Sequence, residues 1–206
     1  MLIRHRGIEP TVDPSAYVAP TATVVGDVRI GPRARVMFGA VIDAEGAFVE
    51  VGDACVISEH AVLRATAVGI EAQPVVLSDH VFVGPHATLL GCRIERCCYL
   101  AANATVVHGA RLGSGAVIAV GALVHAGAVL APEMFVPPMT IAIGDPARVL
   151  TPDRTDDVVR AIQGVNFAAT GFGVEHDWTD RIGRYEKMAE VRVQEYSAHS
   201  DDEIVS

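Results

Sequence analysis

An aliphatic residue recurs at every sixth position along most of this chain, and no other feature narrows its fold so far. Val12, Val18, Val24, Ile30, Val36 and Ile42 keep that spacing without a miss. After the insertion DAEGAFVE the series resumes at Val51, Ile57 and Leu63. A longer insertion, from Arg64 towards Val76, precedes Leu77, Val83 and Leu89. One block is a residue short, and Ile94, Leu100, Val106, Leu112, Ile118, Val124 and Leu130 complete the run. Four places after most of these stands a small residue, as at Ala22, Ala34, Ala40, Cys55, Ala61, Ala87, Cys98 and Ala104. This period suits neither an amphipathic helix nor an alternating strand. It suits a triangular β-solenoid with three short parallel strands per coil. The aliphatic residue then points inward and the small one fills the narrowing corner.

The predicted architecture is mainly β: a parallel β-helix of about seven coils over residues 1–150, then a helical extension over 151–206 with a short acidic tail. In TPDRTDDVVRAIQG, Thr151 is the expected cap, Pro152 suits the first turn and Gly164 is the stop. A second helix is expected from Asp177 to about Ser197. Trp178, Ile182, Tyr185, Met188 and Val191 give it one apolar face, expected to pack on the solenoid. The tail SDDEIVS reads as disordered.

Composition supports a repetitive scaffold. Half of the 206 residues are hydrophobic but only 5% are aromatic, so the core must be filled by small aliphatics. A net charge of −9 argues against a nucleic-acid surface or an anionic membrane as partner. MLIRHRGIEP lacks the apolar core of a signal peptide, and no apolar run reaches the roughly 18 residues that span a bilayer. Cys55, Cys92, Cys97 and Cys98 show no zinc-type spacing, which reads as a reduced, cytoplasmic protein.

With three blocks per coil, residues three blocks apart stack at one strand spacing of about 4.8 Å. Glu59, Pro85 and Ala102 form one such ladder, His60, His86 and Asn103 the next, and Arg64 stacks over Leu90. Matched imidazoles on adjacent coils can share a metal ion, or hold one ring neutral as a general base. They can equally be two solvated corner histidines. Glu59 near Arg64 reads either as a salt bridge or as part of a site. His108 and His125 read as surface or interface residues, and His5, His80, His176 and His199 carry no signal.

The stretches VDPSAYVAPTATVVGDVRIG, VFVGPHATLLGC and IAIGDPARVL, with the placing of both insertions, resemble the gamma-class carbonic anhydrases over roughly residues 10–150. The resemblance implies a left-handed β-helix and a homotrimer with active sites between neighbouring subunits. It also implies a zinc ion held by three histidines, yet the matching positions here carry Arg64, Pro85 and Leu90. Asp43, Ala44 and Glu45 replace the family's Arg-Gly-Asp, and Ser58 and Glu59 its Gln-Asp. Arginine, proline and leucine do not ligate Zn²⁺ as histidine does, so the usual metal-bound nucleophile has no support.

The resulting expectation is a metal-independent acid/base enzyme acting on a small anionic metabolite in an intersubunit cleft. His86 is the expected acid/base, positioned by His60 or Glu59. Arg64 is expected to hold the anion, with Leu90, Pro85 and Asn103 lining the site. No cofactor is expected, zinc included. One alternative is a CoA-dependent acyl (acetyl) transferase using acetyl-CoA, although the late coils GSGAVIAVGALVHAGAVLAPEMF are nearly uncharged. Others are a non-catalytic scaffold and a metal site relocated to His60 and His86.

Overall fold

The computed structural model describes residues 1–69, 71–175 and 179–205, and its long first part winds as a left-handed parallel β-helix with three faces. The first face carries seven strands, from Thr11–Val12 and Val28–Ile30 to Val129–Leu130. The second also carries seven, from Tyr17–Val18 to Phe135–Val136. The third runs through Leu2–Arg4, Thr23–Val25, Val41–Asp43, Val62–Arg64, Thr88–Leu90, Thr105–Val106, Leu123–Val124 and Ile141–Ile143.

The six-residue period is the cause. Its aliphatic members stack in columns inside the coil: Ile42, Leu63, Leu89, Val106 and Val124 follow one another in register on the third face. All five are fully buried. Between the columns Ala22, Ala34, Ala40, Ala61, Ala87 and Ala104 are buried where the triangle narrows. Val12 and Val18 are only partly buried, because the first coil has no neighbour on one side.

After the first, each turn from the second face to the third places one residue in the left-handed region: Gly39, His60, His86, Asn103, Gly121 and Met139, all with φ between 56° and 71°. Gly84 shows how close the coils lie. A Cβ there would sit 2.7 Å from the carbonyl carbon of Ala101 on the next coil.

The solenoid closes on an antiparallel strand, Arg148–Leu150, paired with Ile141–Ile143. Helix α1 spans Thr155–Gly164, so it begins later than its sequence suggests. Pro152 lies in a turn, Arg154 takes the cap position and no side chain caps the helix. Asp156 and Asp157 in the first turn suit the positive helix end. Helix α2, Phe167–Phe172, was not anticipated, and ends on the left-handed Gly173 (φ 66°), whose N–H reaches back to Ala169.

Helix α3 spans Arg181–Tyr196 and is capped by Asp180, whose carboxylate accepts from the Gly183 N–H at 2.9 Å. The expected apolar face is buried only in part: Met188 and Val191 are half-buried, but Ile182 is 74% and Tyr185 54% exposed. Trp178 and Asp177 lie outside the described residues. Besides α2, helix α3 meets the coils through polar groups: Tyr196 bonds Arg64, and Glu195 and Arg192 bond Thr66. Arg192 lies 4.6 Å over the Phe172 ring and donates to the Gly171 carbonyl.

The acidic tail is ordered, contrary to its composition. Residues Ser197–Asp201 form a 3₁₀ turn, and Glu203–Ile204 add antiparallel to Leu2–Arg4 with Ile3 opposite Ile204. An open edge strand at the start of the solenoid leaves unpaired backbone groups, and the tail satisfies them. Arg4 ion-pairs with both Glu9 and Glu203.

All four cysteines are free. Cys55, Cys92 and Cys98 are buried, and burial pushes the Cys92 thiol up to about 12. Among the described residues, no helix is long and apolar enough to cross a membrane.

Candidate functional site

Asp43, Arg64 and Leu90 end three adjacent strands of the third face, in register and one strand spacing apart. Alternation along the strand turns all three away from the core, since their neighbours Ile42, Leu63 and Leu89 point inward. Arg64 is held from two sides. Its Nε donates to Asp43 Oδ2 at 3.3 Å and its Nη1 donates to the Tyr196 hydroxyl at 2.6 Å. The guanidinium carbon also stands 5.1 Å from the centre of the Tyr196 ring. Of the two readings of Glu59, the salt bridge to Arg64 within one chain is not formed; Arg64 pairs instead with Asp43, the next rung of the same ladder. Two Nη2 N–H groups and one on Nη1 keep no partner among the described residues.

His60 and His86 stack at the turn from the second face to the third, with ring centres 5.2 Å apart and planes inclined by 13°. Glu59 and Pro85 precede them in the same turns, and Asn103 continues the ladder beyond His86. Backbone bonds hold the register: His86 N–H to the Glu59 carbonyl and Asn103 N–H to the Pro85 carbonyl, both at 3.0 Å. The left-handed backbone does not single these histidines out. Arg33, Ala54, His80, Cys97 and Glu133 adopt it at other corners of the solenoid too.

Two separate residue sets result. One chain brings Arg64 beside Leu90, and His60 beside His86, Glu59, Pro85 and Asn103. It does not bring the two sets together, because the strand Val62–Arg64 lies between them, roughly 13 Å along the backbone from His60 to Arg64. The positions that the resemblance assigns to zinc ligands do not fit a metal ion. Arg64 is a cation already bound to Asp43, and Leu90 and Pro85 offer no donor atom.

Sequence reasoning missed a third polar set. His5, which follows the first strand, meets Glu45 of the first insertion and His199 and Asp202 of the tail. His5 Nδ1 lies 2.6 Å from Asp202 Oδ1, His199 Nδ1 2.8 Å from Asp202 Oδ2, and His199 Nε2 2.8 Å from Glu45 Oε1. The two imidazoles stack at 4.4 Å. Burial, then the charge of Asp43, raises the Glu45 pKa. Burial pulls His199 down, but its bonds to Asp202 and Glu45 outweigh that and leave its pKa raised. Nothing in the sequence marks this set, because its members lie at opposite ends of the chain.

His108 and His125, read above as surface or interface residues, are 3% and 8% exposed. The covering element is α2: Phe167 lies against both rings and Phe172 against His108. The Nδ1 atoms of both have no partner among the described residues. Burial, with the charge of Arg192 adding to it, lowers the His108 pKa to about 4, and burial lowers that of His125. His125 also lines an apolar cavity of about 140 Å³ with Ile162, Phe167 and Met188.

No family model matches the chain. It is 31% identical over 116 residues to gamma carbonic anhydrase 1, mitochondrial, of Arabidopsis thaliana. That match spans 52% of this chain and 42% of the plant protein, so the chain covers less than half of that relative's length. It is 30% identical over 165 residues to a carbonic anhydrase of Geobacillus kaustophilus, spanning 80% of this chain and 85% of the other. A solved structure from Bacillus cereus, a candidate acetyltransferase, superposes with a TM-score of 0.52 at 22% identity, covering 94% of this chain and 96% of that one. At that identity the likeness is one of fold alone.

Proposed function

The chain belongs to the gamma carbonic anhydrase family, and from that premise we propose that it is a small-molecule enzyme in which a fixed guanidinium replaces the family's zinc centre. One observation carries the reading. Arg64, at a position the sequence resemblance assigns to a metal ligand, is anchored by Asp43 and Tyr196, and three of its N–H groups have no partner among the described residues. Asp43 and Tyr196 fix its orientation, which spares a bound anion much of the cost of ordering a long side chain. The ligand class is a small carboxylate or bicarbonate, because a planar guanidinium edge matches a carboxylate's two oxygens.

The reacting site is completed by a second subunit in a homotrimer. The edge of the third face that carries Arg64 and Leu90 would meet the corner that carries Glu59, His60, Pro85, His86 and Asn103. In that arrangement His86 takes or gives a proton, and the stacked His60 ring and Glu59 hold it in place. Leu90 and Pro85 exclude water from the anion, which strengthens its contact with Arg64. No cofactor enters this step.

The test is a calorimetric titration of the assembled protein with bicarbonate and short mono- and dicarboxylates, for wild type and Arg64→Gln. Loss of one charge-assisted pair costs about 2 kcal/mol, or roughly 30-fold in Kd. Equal affinity in the two proteins would overturn the reading. Tight binding of acetyl-CoA in place of the acids would move the protein to acyl transfer.

A further inference from the structure

The geometry points to a divalent transition-metal site, separate from the cleft just described, built from His5, Glu45 and His199 with Asp202 behind them. One imidazole nitrogen from each histidine and one Glu45 oxygen lie within 4.8 Å of one another. A four-coordinate ion with bonds of about 2.1 Å sets its ligand atoms about 3.4 Å apart. Each histidine approaches a different oxygen of Glu45. Nε2 of His199 is 2.8 Å from Glu45 Oε1, and Nε2 of His5 is 4.0 Å from Glu45 Oε2.

Three further observations favour a cation there. First, Asp202 uses its two oxygens to take the Nδ1 groups of both histidines. A carboxylate only accepts, so both Nδ1 atoms carry hydrogen and both Nε2 atoms face Glu45; His199 Nε2 also carries a proton towards Glu45, which an entering ion would displace. This is the outer-shell arrangement that orients metal-binding imidazoles, here shared by two rings. Second, the Glu45 side chain is fully buried, and its Oε2 is left without a hydrogen-bond partner among the described residues. A buried carboxylate oxygen without a hydrogen bond is costly, and only Arg6 at 3.7 Å and His5 at 4.0 Å offset that charge here. Third, a cation already stands at the mouth. Arg6 Nε donates to His5 Nε2 at 3.1 Å, and its Nη2 lies 3.7 Å from Glu45 Oε2. The Arg6 side chain is 42% exposed, so it can swing into solvent when an ion enters.

Two imidazoles and one carboxylate suit Zn²⁺, Co²⁺ or Fe²⁺ rather than Ca²⁺ or Mg²⁺. The ion would tie the C-terminal tail to the first strand and to the first insertion, so that three distant segments close on one point. The site does not depend on the anion reading, since it uses no residue of the Arg64 or His86 sets.

The experiment is a titration of tag-free, chelator-stripped full-length protein with Zn²⁺ alone and with Co²⁺ alone, followed by calorimetry and by visible absorption. One ion per chain is expected, with the cobalt spectrum of a nitrogen–oxygen site. Glu45→Gln, nearly isosteric, should abolish stoichiometric binding. Asp202→Asn, which removes no ligand, should weaken it about 10- to 100-fold. Arg6→Gln should tighten binding by removing the competing guanidinium, an effect that a merely structural cluster would not show. His60→Asn/His86→Asn and Arg64→Gln should bind metal as wild type does. No stoichiometric binding by wild type, or binding unchanged in Glu45→Gln and Asp202→Asn, would overturn the proposal. So would loss of binding in the His60/His86 variant.

Discussion

Lowering the pH should destabilise this protein through His108 before any carboxylate network is lost. The ring is 3% exposed beneath Phe167 and Phe172, and burial lowers its pKa from the ordinary 6.5 to about 4. The folded chain therefore holds His108 neutral across a range in which the unfolded chain takes up a proton. Its contribution is fully present above about 6.5 and declines as pH falls towards about 4. At about pH 5 the pH lies about 1.5 units below the unfolded ring's pKa, and at about 1.4 kcal/mol per unit the loss is about 2 kcal/mol. The full interval corresponds to about 3.4 kcal/mol. His125, lowered in the same direction, adds to the effect. Urea midpoints for wild type and His108→Gln, measured between about pH 7.5 and about pH 5 at one protein concentration, isolate the term. Wild type should lose the greater stability on acidification, and a proton NMR titration should find the His108 ring unprotonated at about pH 5. Equal slopes in the two proteins, or a ring titrating in the ordinary range, would refute the reasoning.

Two core substitutions probe the solenoid itself. Gly84→Ala places a methyl group 2.7 Å from the Ala101 carbonyl carbon, and should cost about 1–3 kcal/mol in urea unfolding. Wild-type stability would show that the coils can part there. Leu89→Ala empties a fully buried position between Leu63 and Val106, and should cost about 2–5 kcal/mol by the same assay.

The coil was legible because it is local and repeated. Every inward residue from Val24 to Leu130 in the six-residue series is buried, and each follows from its neighbours alone. The ladders followed too: Arg64 does lie beside Leu90, and His60 does stack on His86. What failed were inferences from side-chain type without a partner in view. His108 and His125 look like surface residues until α2 is laid over them, and α2 itself, FAATGF, is too short to announce a helix by periodicity. The tail was read from its acidity, but Ile204 and Glu203 find Ile3 and Arg4 on an otherwise open edge. The apolar spacing of Ile182, Tyr185, Met188 and Val191 is real, yet only Met188 and Val191 are half-buried while Ile182 and Tyr185 stay exposed. The His5–Asp202 contact joins residues 197 positions apart, beyond the reach of any local pattern.

The central claim, that an anion-binding guanidinium stands where the family holds zinc, is tested most directly by a crystal structure of the tag-free protein soaked in a short dicarboxylate, with data collected across the zinc absorption edge. The expected result is a carboxylate on the Arg64 Nη groups at a contact between subunits, with His86 of a neighbouring chain close by and no anomalous peak among Arg64, Pro85 and Leu90. A metal peak among those three residues, or an Arg64 that faces open solvent in the assembly and binds nothing, would contradict it.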